Sequence, residues 1–411
     1  MSAVPGVLRH PDFRLLWLGQ SLSTIGDRLV TVALALYVTQ KTGSSTDLAF
    51  VLAAYSAPLV GLLLVGGVWA DRLPRQRVMI ATDVGRFALH GTLAALIFTG
   101  SVTIPLLMAI EALAGACAAF FEPAYSGLVP QTVPEDEIQR ANALSAGSRN
   151  VAELLGPALA TALVLGVGAG AAFVVDAATF LVSALLLSFV RPRSRGVAVA
   201  REPVAREIAA GWREVRSRPW VWVTIAAFSV ALFSALAPFF VLGPLIAQTN
   251  WGSPGYYGVC SALFGGGTVV GALVAVRLRP SRPMRSALIA TLGWPPALFA
   301  FAVGAPLPVV YAACALAGGG LALFDVWWLT ALAQRIPPHA LSRVSSYDWM
   351  GSLGLLPLGY LAAGTIATLV GARTVLAVGA VIGAAAFVLA LCSRDLRSLR
   401  SVDSRQPVDA V

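Results

Sequence analysis

Twelve apolar stretches, each about 20 residues or longer, constrain the fold of this chain more than any other feature. An α-helix needs roughly 20 mainly apolar residues to cross the hydrocarbon core of a bilayer. Only 12% of the 411 residues are charged, about half of the share that is usual in soluble domains. The pattern predicts an all-α membrane protein with twelve transmembrane helices. In chain order, the limits of these twelve spans are 13–38, 47–69, 77–99, 103–124, 139–166, 169–190, 220–247, 255–276, 284–303, 307–333, 344–370 and 373–393.

The longest polar interval, residues 191–218, divides the spans into six and six. Such symmetry is typical of transporters that are built from two repeated bundles, with a substrate site between them near the membrane midplane. We therefore expect two pseudo-symmetric six-helix bundles, residues 1–190 and residues 219–393, joined by a cytoplasmic linker.

Within the linker, Ile208, Trp212 and Val215 recur at helical spacing. This spacing favours an amphipathic helix on the inner membrane surface, and a plain solvated linker is the alternative.

The tail, residues 394–411, is polar and has no apolar periodicity, so it is predicted to be a disordered cytoplasmic segment.

The basic residues lie almost entirely on one side of the predicted membrane. With the N-terminus inside, 24 of them fall in inner connections and only two, Lys41 and Arg373, in outer ones. Basic residues concentrate in the cytoplasmic loops of membrane proteins, so both termini are predicted to be cytoplasmic. The net charge of +9 is therefore interpreted as a mark of topology and not of nucleic-acid binding.

Residues that support catalysis or cofactor binding are scattered. The four cysteines lie in apolar spans without CxxC spacing, and the three histidines are far apart. No P-loop for ATP is present in the sequence. We therefore predict no enzyme activity, no metal site and no cofactor, and a primary pump is excluded.

The connection between spans two and three carries a recognisable motif, GVWADRLPRQR, residues 67–77. It resembles the loop signature of the major facilitator superfamily, in which an aspartate follows a glycine by four residues and basic residues come next. Pro74 replaces the second glycine of that signature, and Gln76 replaces one basic residue. Stretches in spans one, four to five and eleven are similar to the bacterial drug-efflux and siderophore-export branch, of macrolide-efflux type.

This resemblance implies a conformational latch formed by Gly67, Asp71, Arg72, Arg75 and Glu122. Asp71 would face the start of span eleven near Ser345 and Ser346, where a helix N-terminus favours a carboxylate. Arg75 would pair with Glu122 at the inner end of span four. Such contacts exist in only one orientation of the bundles and bias the equilibrium between orientations. Alternatively, the basic residues of the loop only anchor the inner side.

Span five contains Gly156 and Pro157, which resemble the antiporter motif of the same superfamily. Proline removes a helix hydrogen bond, and glycine permits close packing, so the pair implies a kinked, tight contact. A kink without any coupling role is the alternative. Span four has Glu111 where the common antiporter pattern has an arginine four residues before Gly115, so a coupling arginine is missing there.

Ionisable side chains inside a bilayer are costly and are candidates for function by default. Asp27, Glu111 and Asp325 lie in spans one, four and ten, which in this family line the central cavity. Each could exchange a proton or bind a cationic substrate, and an internal hydrogen bond or ion pair is the alternative for each.

Six further charged residues in the spans are assigned structural roles. Asp83 with Arg86, and Arg149 with Glu153, are predicted local ion pairs, and Asp176 is predicted to lie at the interface. Asp348 near the start of span eleven would also be structural.

Together these features predict a monomeric secondary transporter in the bacterial inner membrane. We expect it to export hydrophobic or amphipathic drug-like molecules in exchange for protons, with the substrate, protons and lipid as its only partners. A transporter of one metabolite or siderophore, and a receptor that does not transport, are the alternatives.

Overall fold

The computed structural model describes residues 6–193, 211–278 and 280–400, and this part of the chain is almost entirely helical. Six long helices occupy the positions of spans one to six. These helices, α1 to α6, are Pro11–Thr42, Ser45–Arg72, Arg75–Phe98, Ile104–Leu128, Ile138–Gly166 and Ala169–Phe189.

In the C-terminal half, three of the six predicted spans are each built from two helical segments. Span seven consists of α7 and α8 joined by a π-helical turn, Leu232–Leu236. The helices α7 to α16 are Pro219–Ala231, Ala237–Trp251, Gly255–Arg277, Pro283–Thr291, Trp294–Val303, Leu307–Arg335, Pro338–Leu353, Leu356–Val370, Ala372–Cys392 and Arg394–Ser398. Span nine corresponds to α10 and α11, span ten to α12, and span eleven to α13 and α14.

Ten helical segments of the described chain are long and apolar enough to cross a membrane. Helices α3 and α5, which match spans three and five, contain 24 and 29 residues but are not among the ten. Their length suffices for a bilayer, but both carry polar and charged side chains, including Arg86 on α3 and Glu153 on α5. The all-helical architecture agrees with the sequence analysis, and the count of twelve spans stays a prediction.

The linker and the tail are described only in part. Residues 211–216 are helical, and the centre of the Trp212 ring lies 5.8 Å from that of Tyr347. Ile208, the first of the three apolar residues of the predicted amphipathic helix, lies outside the described residues.

At the start of the tail, Arg394–Ser398 forms a short helix and buries Leu396. The prediction of disorder is therefore wrong for this first turn, because one apolar side chain docks it.

The two halves repeat one pattern of helix packing, which agrees with the predicted pseudo-symmetry. In the N-terminal half, α2 packs on α4, and α1 packs on α5 and α6. In the C-terminal half, α9 packs on α12, while α7 packs on α15 and α8 on α14. Spans two and four thus correspond to spans eight and ten, and span one corresponds to span seven.

Small residues set the distance between the paired helices. A Cβ atom on Gly115 of α4 would lie 2.0 Å from the carbonyl oxygen of Tyr55 on α2. In the equivalent helix pair, a Cβ on Gly318 of α12 would lie 1.9 Å from the carbonyl oxygen of Phe264 on α9. Helices in membranes associate through such close backbone contacts, so both pairs are held by van der Waals packing at glycines.

The two halves meet through α5 with α9 and through α2 with α14. The Thr46 hydroxyl donates a hydrogen bond to the Gly364 carbonyl at 3.3 Å. A Cβ on Gly258 would lie 1.8 Å from the Thr161 hydroxyl oxygen. All four residues lie near the helix ends that are remote from the chain termini, so the halves meet on the side opposite the termini.

Substituting Gly115 with alanine is expected to lower the unfolding temperature in detergent, because the new methyl group would push α2 away from α4. Gly91→Ala on α3 is the matched control, since nothing lies within 4 Å of a Cβ there. Alanine is the better helix former by about 1 kcal/mol, so the control should be unchanged or more stable. Thermal unfolding of the purified variants measures both effects, and equal stability of the two variants would contradict this account of the packing.

Candidate functional site

Asp27 lies within α1, partly exposed on one side and close to the buried guanidinium of Arg86 on the other. Its side chain is 42% exposed, whereas the nearby Gly26 and Leu29 on the same helix are buried. The guanidinium of Arg86 on α3 approaches it, with 3.5 Å between Nη1 and the carboxylate oxygen. Asp27 is therefore the point where the buried charges of this half reach an accessible surface.

Arg86 is fixed in place by a stronger second partner and by two aromatic rings. Its Nη2 donates to Asp83 at 2.7 Å, and the two side chains are 4% and 0% exposed. The guanidinium carbon lies 4.4 Å from the ring centre of Phe121 and 4.2 Å from that of Phe180. The predicted Asp83–Arg86 ion pair is confirmed, and the contact with Asp27 adds a second acid.

Arg86 thus interacts with two carboxylates, those of Asp83 and Asp27. The pair with Asp83 is short and fully enclosed, while the contact with Asp27 is long and half open, so Asp27 is the partner that can be exchanged. A proton or a positively charged group from the open space can neutralise Asp27 without exposing Arg86. Coupled binding of a proton and a cation requires one carboxylate that can be neutralised by either of the two, and the position of Asp27 allows this.

Glu111 is placed differently from the prediction. It is 2% exposed and interacts electrostatically with His90 and Asp176 in the interior of the N-terminal half. The expectation that Glu111 lines the central cavity is wrong, because its side chain is enclosed in the interior of the N-terminal half, near His90 of α3 and Asp176 of α6. Asp176 is also fully buried and lies 2.5 Å from the His90 ring nitrogen, so its predicted interfacial position is wrong too.

Sequence analysis missed His90 as a functional residue. A usable signal was present: Asp83, Arg86 and His90 recur at helical spacing on α3, which places three ionisable groups on one face of a helix. In a bilayer, each such residue is a functional candidate by default.

Asp325 on α12 is exposed, as expected for a residue that faces the space between the halves. Its charged neighbours are Asp348 of its own half and Glu153 of the other half. Asp348 accepts a hydrogen bond from the Trp328 indole at 2.8 Å. The C-terminal half therefore presents an accessible carboxylate toward the N-terminal half.

The Gly156–Pro157 pair lies where α5 touches both α1 and the opposite half. A Cβ on Gly156 would lie 2.4 Å from the Cβ of Arg28, so α1 passes directly over this glycine. Pro157 has no N–H for the carbonyl of Glu153, and that carbonyl lies against Gly265 of α9, where a Cβ would be 2.0 Å away. The pair thus joins the helix of Asp27 to the contact between the halves.

Glu153 pairs with Arg28 of α1 at 2.9 Å. The predicted Arg149–Glu153 pair is therefore wrong: Arg149 instead lies over the Tyr125 ring, 5.9 Å from its centre. The pattern of one helical turn suggested a local pair, but α1 crosses α5 at Glu153 and brings a closer cation.

The latch residues are only partly described. Arg75 donates to the Gly127 carbonyl at 2.7 Å, and Glu122 is exposed; the ion pairs between described residues do not include the predicted Arg75–Glu122 pair. The surroundings of Gly67 and the side chains of Asp71, Arg72 and Ser346 lie outside the described part of the chain.

Removing the guanidinium with Arg86→Met should destabilise the protein strongly, because Asp83 would remain buried without its counter-ion. Breaking a buried ion pair in this way costs roughly 3–5 kcal/mol. The double variant Arg86→Met, Asp83→Leu should recover most of that loss, and Arg149→Met serves as the matched control. Unfolding monitored by size-exclusion chromatography after heating measures the effect, and a double variant as unstable as Arg86→Met would contradict it.

Comparison with known proteins agrees with this architecture. Residues 16–354 match the sequence profile of the Major Facilitator Superfamily. Macrolide efflux protein A of Streptococcus pyogenes is 23% identical over 87% of this chain and 90% of its own length. Multidrug efflux pump Tap of Mycobacterium bovis is 27% identical over 87% of both chains.

Solved structures show the same fold at low sequence identity. A bacterial homologue of the human lysosomal transporter Spinster, in an inward-facing conformation, superposes with a TM-score of 0.69 at 15% identity, covering 94% of this chain and 97% of the homologue. The nucleoside transporter NupG superposes with a TM-score of 0.71 at 12% identity, covering 92% and 98%. Because the profile covers most of the chain, this protein belongs to the major facilitator superfamily and is a multi-pass membrane transporter.

Proposed function

We propose that this transporter exports amphipathic, positively charged small molecules in exchange for protons, with Asp27 as the group that binds the two in turn. The observation that carries the proposal is the position of Asp27, open on one side and 3.5 Å from the buried Arg86 on the other. The curated relatives named as macrolide and multidrug efflux proteins support export as the direction.

Accessible carboxylates on both halves favour a cationic substrate. Glu122 on α4 is exposed and interacts electrostatically with Asp27, and Asp325 is exposed on the other half. A cation between the halves would be attracted to both sides, and an anion would be repelled. Apolar helix surfaces around a few polar groups suit a drug-sized amphipathic molecule.

Neutralisation of Asp27 can be transmitted to the contact between the halves through α1 and α5. The next residue, Arg28, pairs with Glu153 and packs on Gly156. The carbonyl of Glu153 in turn touches Gly265 of the opposite half. A small displacement of α1 at Asp27 therefore acts directly on α5, which contacts the opposite half. A ligand shifts the equilibrium between two orientations of the halves by its differential affinity for the two states.

Asp27→Asn is expected to uncouple export from the pH gradient, because an amide keeps the shape and hydrogen bonding of the carboxyl group but cannot ionise. Proteoliposomes with an imposed pH gradient and ethidium as the cationic probe measure this. We expect gradient-driven ethidium transport to fall at least about tenfold, which corresponds to about 1.4 kcal/mol.

Asp47→Asn, at the helix end remote from the termini, is the matched control and should transport normally. Full gradient-driven transport by Asp27→Asn would refute the role of Asp27, provided that both variants are recovered in equal amounts.

We also propose that the loop after α2 acts as a latch that closes the side of the termini, with Asp71 near Ser345 and Ser346 of α13 and with Gly67, Arg72, Arg75 and Glu122 around it. The predicted helix start near Ser345 is wrong, because α13 begins at Pro338, so the proposed contact is a hydrogen bond from a serine hydroxyl to the Asp71 carboxylate. A hydrogen bond to a charged group is worth about 1.5–3 kcal/mol. This range is large enough to shift the balance between two orientations of the halves.

Asp71→Ala should slow ethidium transport several-fold while leaving the amount of protein in the membrane unchanged, since a latch affects the conformational step and not folding. Asp136→Ala, an exposed acid in the connection between α4 and α5, is the control. Initial rates normalised to protein content measure the effect, and an unchanged rate for Asp71→Ala would remove the latch.

A further inference from the structure

Three ionisable side chains from α3, α4 and α6 are buried in the N-terminal half, away from the space between the halves. His90 is 4%, Glu111 2% and Asp176 0% exposed. The His90 Nδ1 atom lies 2.5 Å from a carboxylate oxygen of Asp176. The imidazole is held edge-on by Phe173 and Phe180, with ring centres 6.0 and 5.7 Å away.

This cluster, His90–Glu111–Asp176, leaves hydrogen-bonding capacity unused. His90 Nε2, Glu111 Oε1 and Asp176 Oδ1 are buried without a hydrogen-bond partner in the described part of the chain. An unmet buried polar group costs about 1–3 kcal/mol, so a purely structural cluster would be expected to pair these atoms. Unpaired atoms on an imidazole and two carboxyl groups are suited to the gain and loss of protons.

The charge balance of the surroundings also calls for bound protons. The charged or titratable groups that face the cluster from neighbouring helices are Asp27 on α1, Tyr55 on α2, and Asp83 and Arg86 on α3. With every carboxyl group ionised and His90 neutral, four negative charges face the one positive charge of Arg86. Excess charge in an interior of low dielectric constant is costly, and protons on His90, Glu111 and Asp27 would cancel it.

The cluster is connected mechanically to Asp27. A Cβ on Gly26 would lie 2.4 Å from the Oδ1 atom of Asp176, so α1 rests on this carboxyl group one residue before Asp27. The ring centre of Phe180 lies near two ionisable side chains of α3, 4.2 Å from the guanidinium carbon of Arg86 and 5.7 Å from the ring centre of His90.

We propose that His90, Glu111 and Asp176 form a second, buried proton-binding site that is coupled to Asp27 by their shared negative charge and by the contact at Gly26. The proposal rests on the proposed function in so far as it gives this site a part in proton exchange. When Asp27 loses its proton, the added negative charge makes His90 hold its proton more firmly. When a cation or proton neutralises Asp27, the buried site releases its proton more readily.

The protonation state of His90 can be read directly, because the chain contains only three histidines. The double substitution His10→Gln, His339→Gln leaves His90 as the only imidazole, and ¹⁵N NMR of histidine-labelled protein in lipid nanodiscs follows its titration from about pH 5 to about pH 9. We expect the ring to pass from its protonated to its neutral form within this range.

Adding Asp27→Asn should move this transition to lower pH by roughly 1 unit, the effect of losing one nearby negative charge. Asp47→Asn should not move it. A ring that stays neutral over the whole range, or a transition that Asp27→Asn leaves in place, would overturn the proposal. The first of these outcomes is read on a chain with all its carboxylates intact, so it does not depend on the folding of the Asp27 variant.

The two proposals can fail separately. A His90 transition that responds to Asp27 in a protein without gradient-driven ethidium transport would keep the buried site and refute proton antiport. Gradient-driven transport combined with an unresponsive His90 would keep antiport and refute the buried site.

Discussion

The burial of one guanidinium, that of Arg86, determines how charge is arranged in the N-terminal half. Taking an ion out of water costs several kcal/mol even after relaxation, so the surrounding helices must supply compensation. Asp83 does so through a hydrogen bond of 2.7 Å, and the faces of Phe121 and Phe180 do so through their ring electrons. Arg86 also approaches Asp27 at 3.5 Å, so its positive charge helps to stabilise a carboxylate at the edge of this interior.

A chain of short contacts joins this charge to the division between the halves. Asp27 and Arg28 are consecutive on α1, Arg28 pairs with Glu153 of α5, and the backbone of α5 at Glu153 lies against α9. Packed interfaces of this type switch between discrete arrangements rather than deforming continuously. Glu153 lies one turn before Pro157, so its ion pair with Arg28 lies at the point of α5 where proline removes a helix hydrogen bond and bending is easiest.

The sequence predicts the helical spans and the division into two halves, because hydropathy reports how each segment partitions into lipid. It also locates Asp27, Asp325 and the Gly156–Pro157 pair, since each of these depends on identity and position along one helix. It does not predict the partners of Glu153 or the burial of Glu111. Those depend on which helix crosses which, and a pattern along a single helix contains no information about the helix that lies over it.

The seal on the side opposite the termini has a simple chemical character. It includes Thr46, Gly364, Thr161 and Gly258, which are small and uncharged, and Thr46 donates a hydrogen bond of 3.3 Å to Gly364 across it. None of the ion pairs between described residues joins the halves at this contact, so added salt finds no such pair to screen and acid none to neutralise there. Parting it is therefore expected to be insensitive to the salt and pH of the medium on that side, so that any movement of the halves is governed from the side of the termini and from the interior.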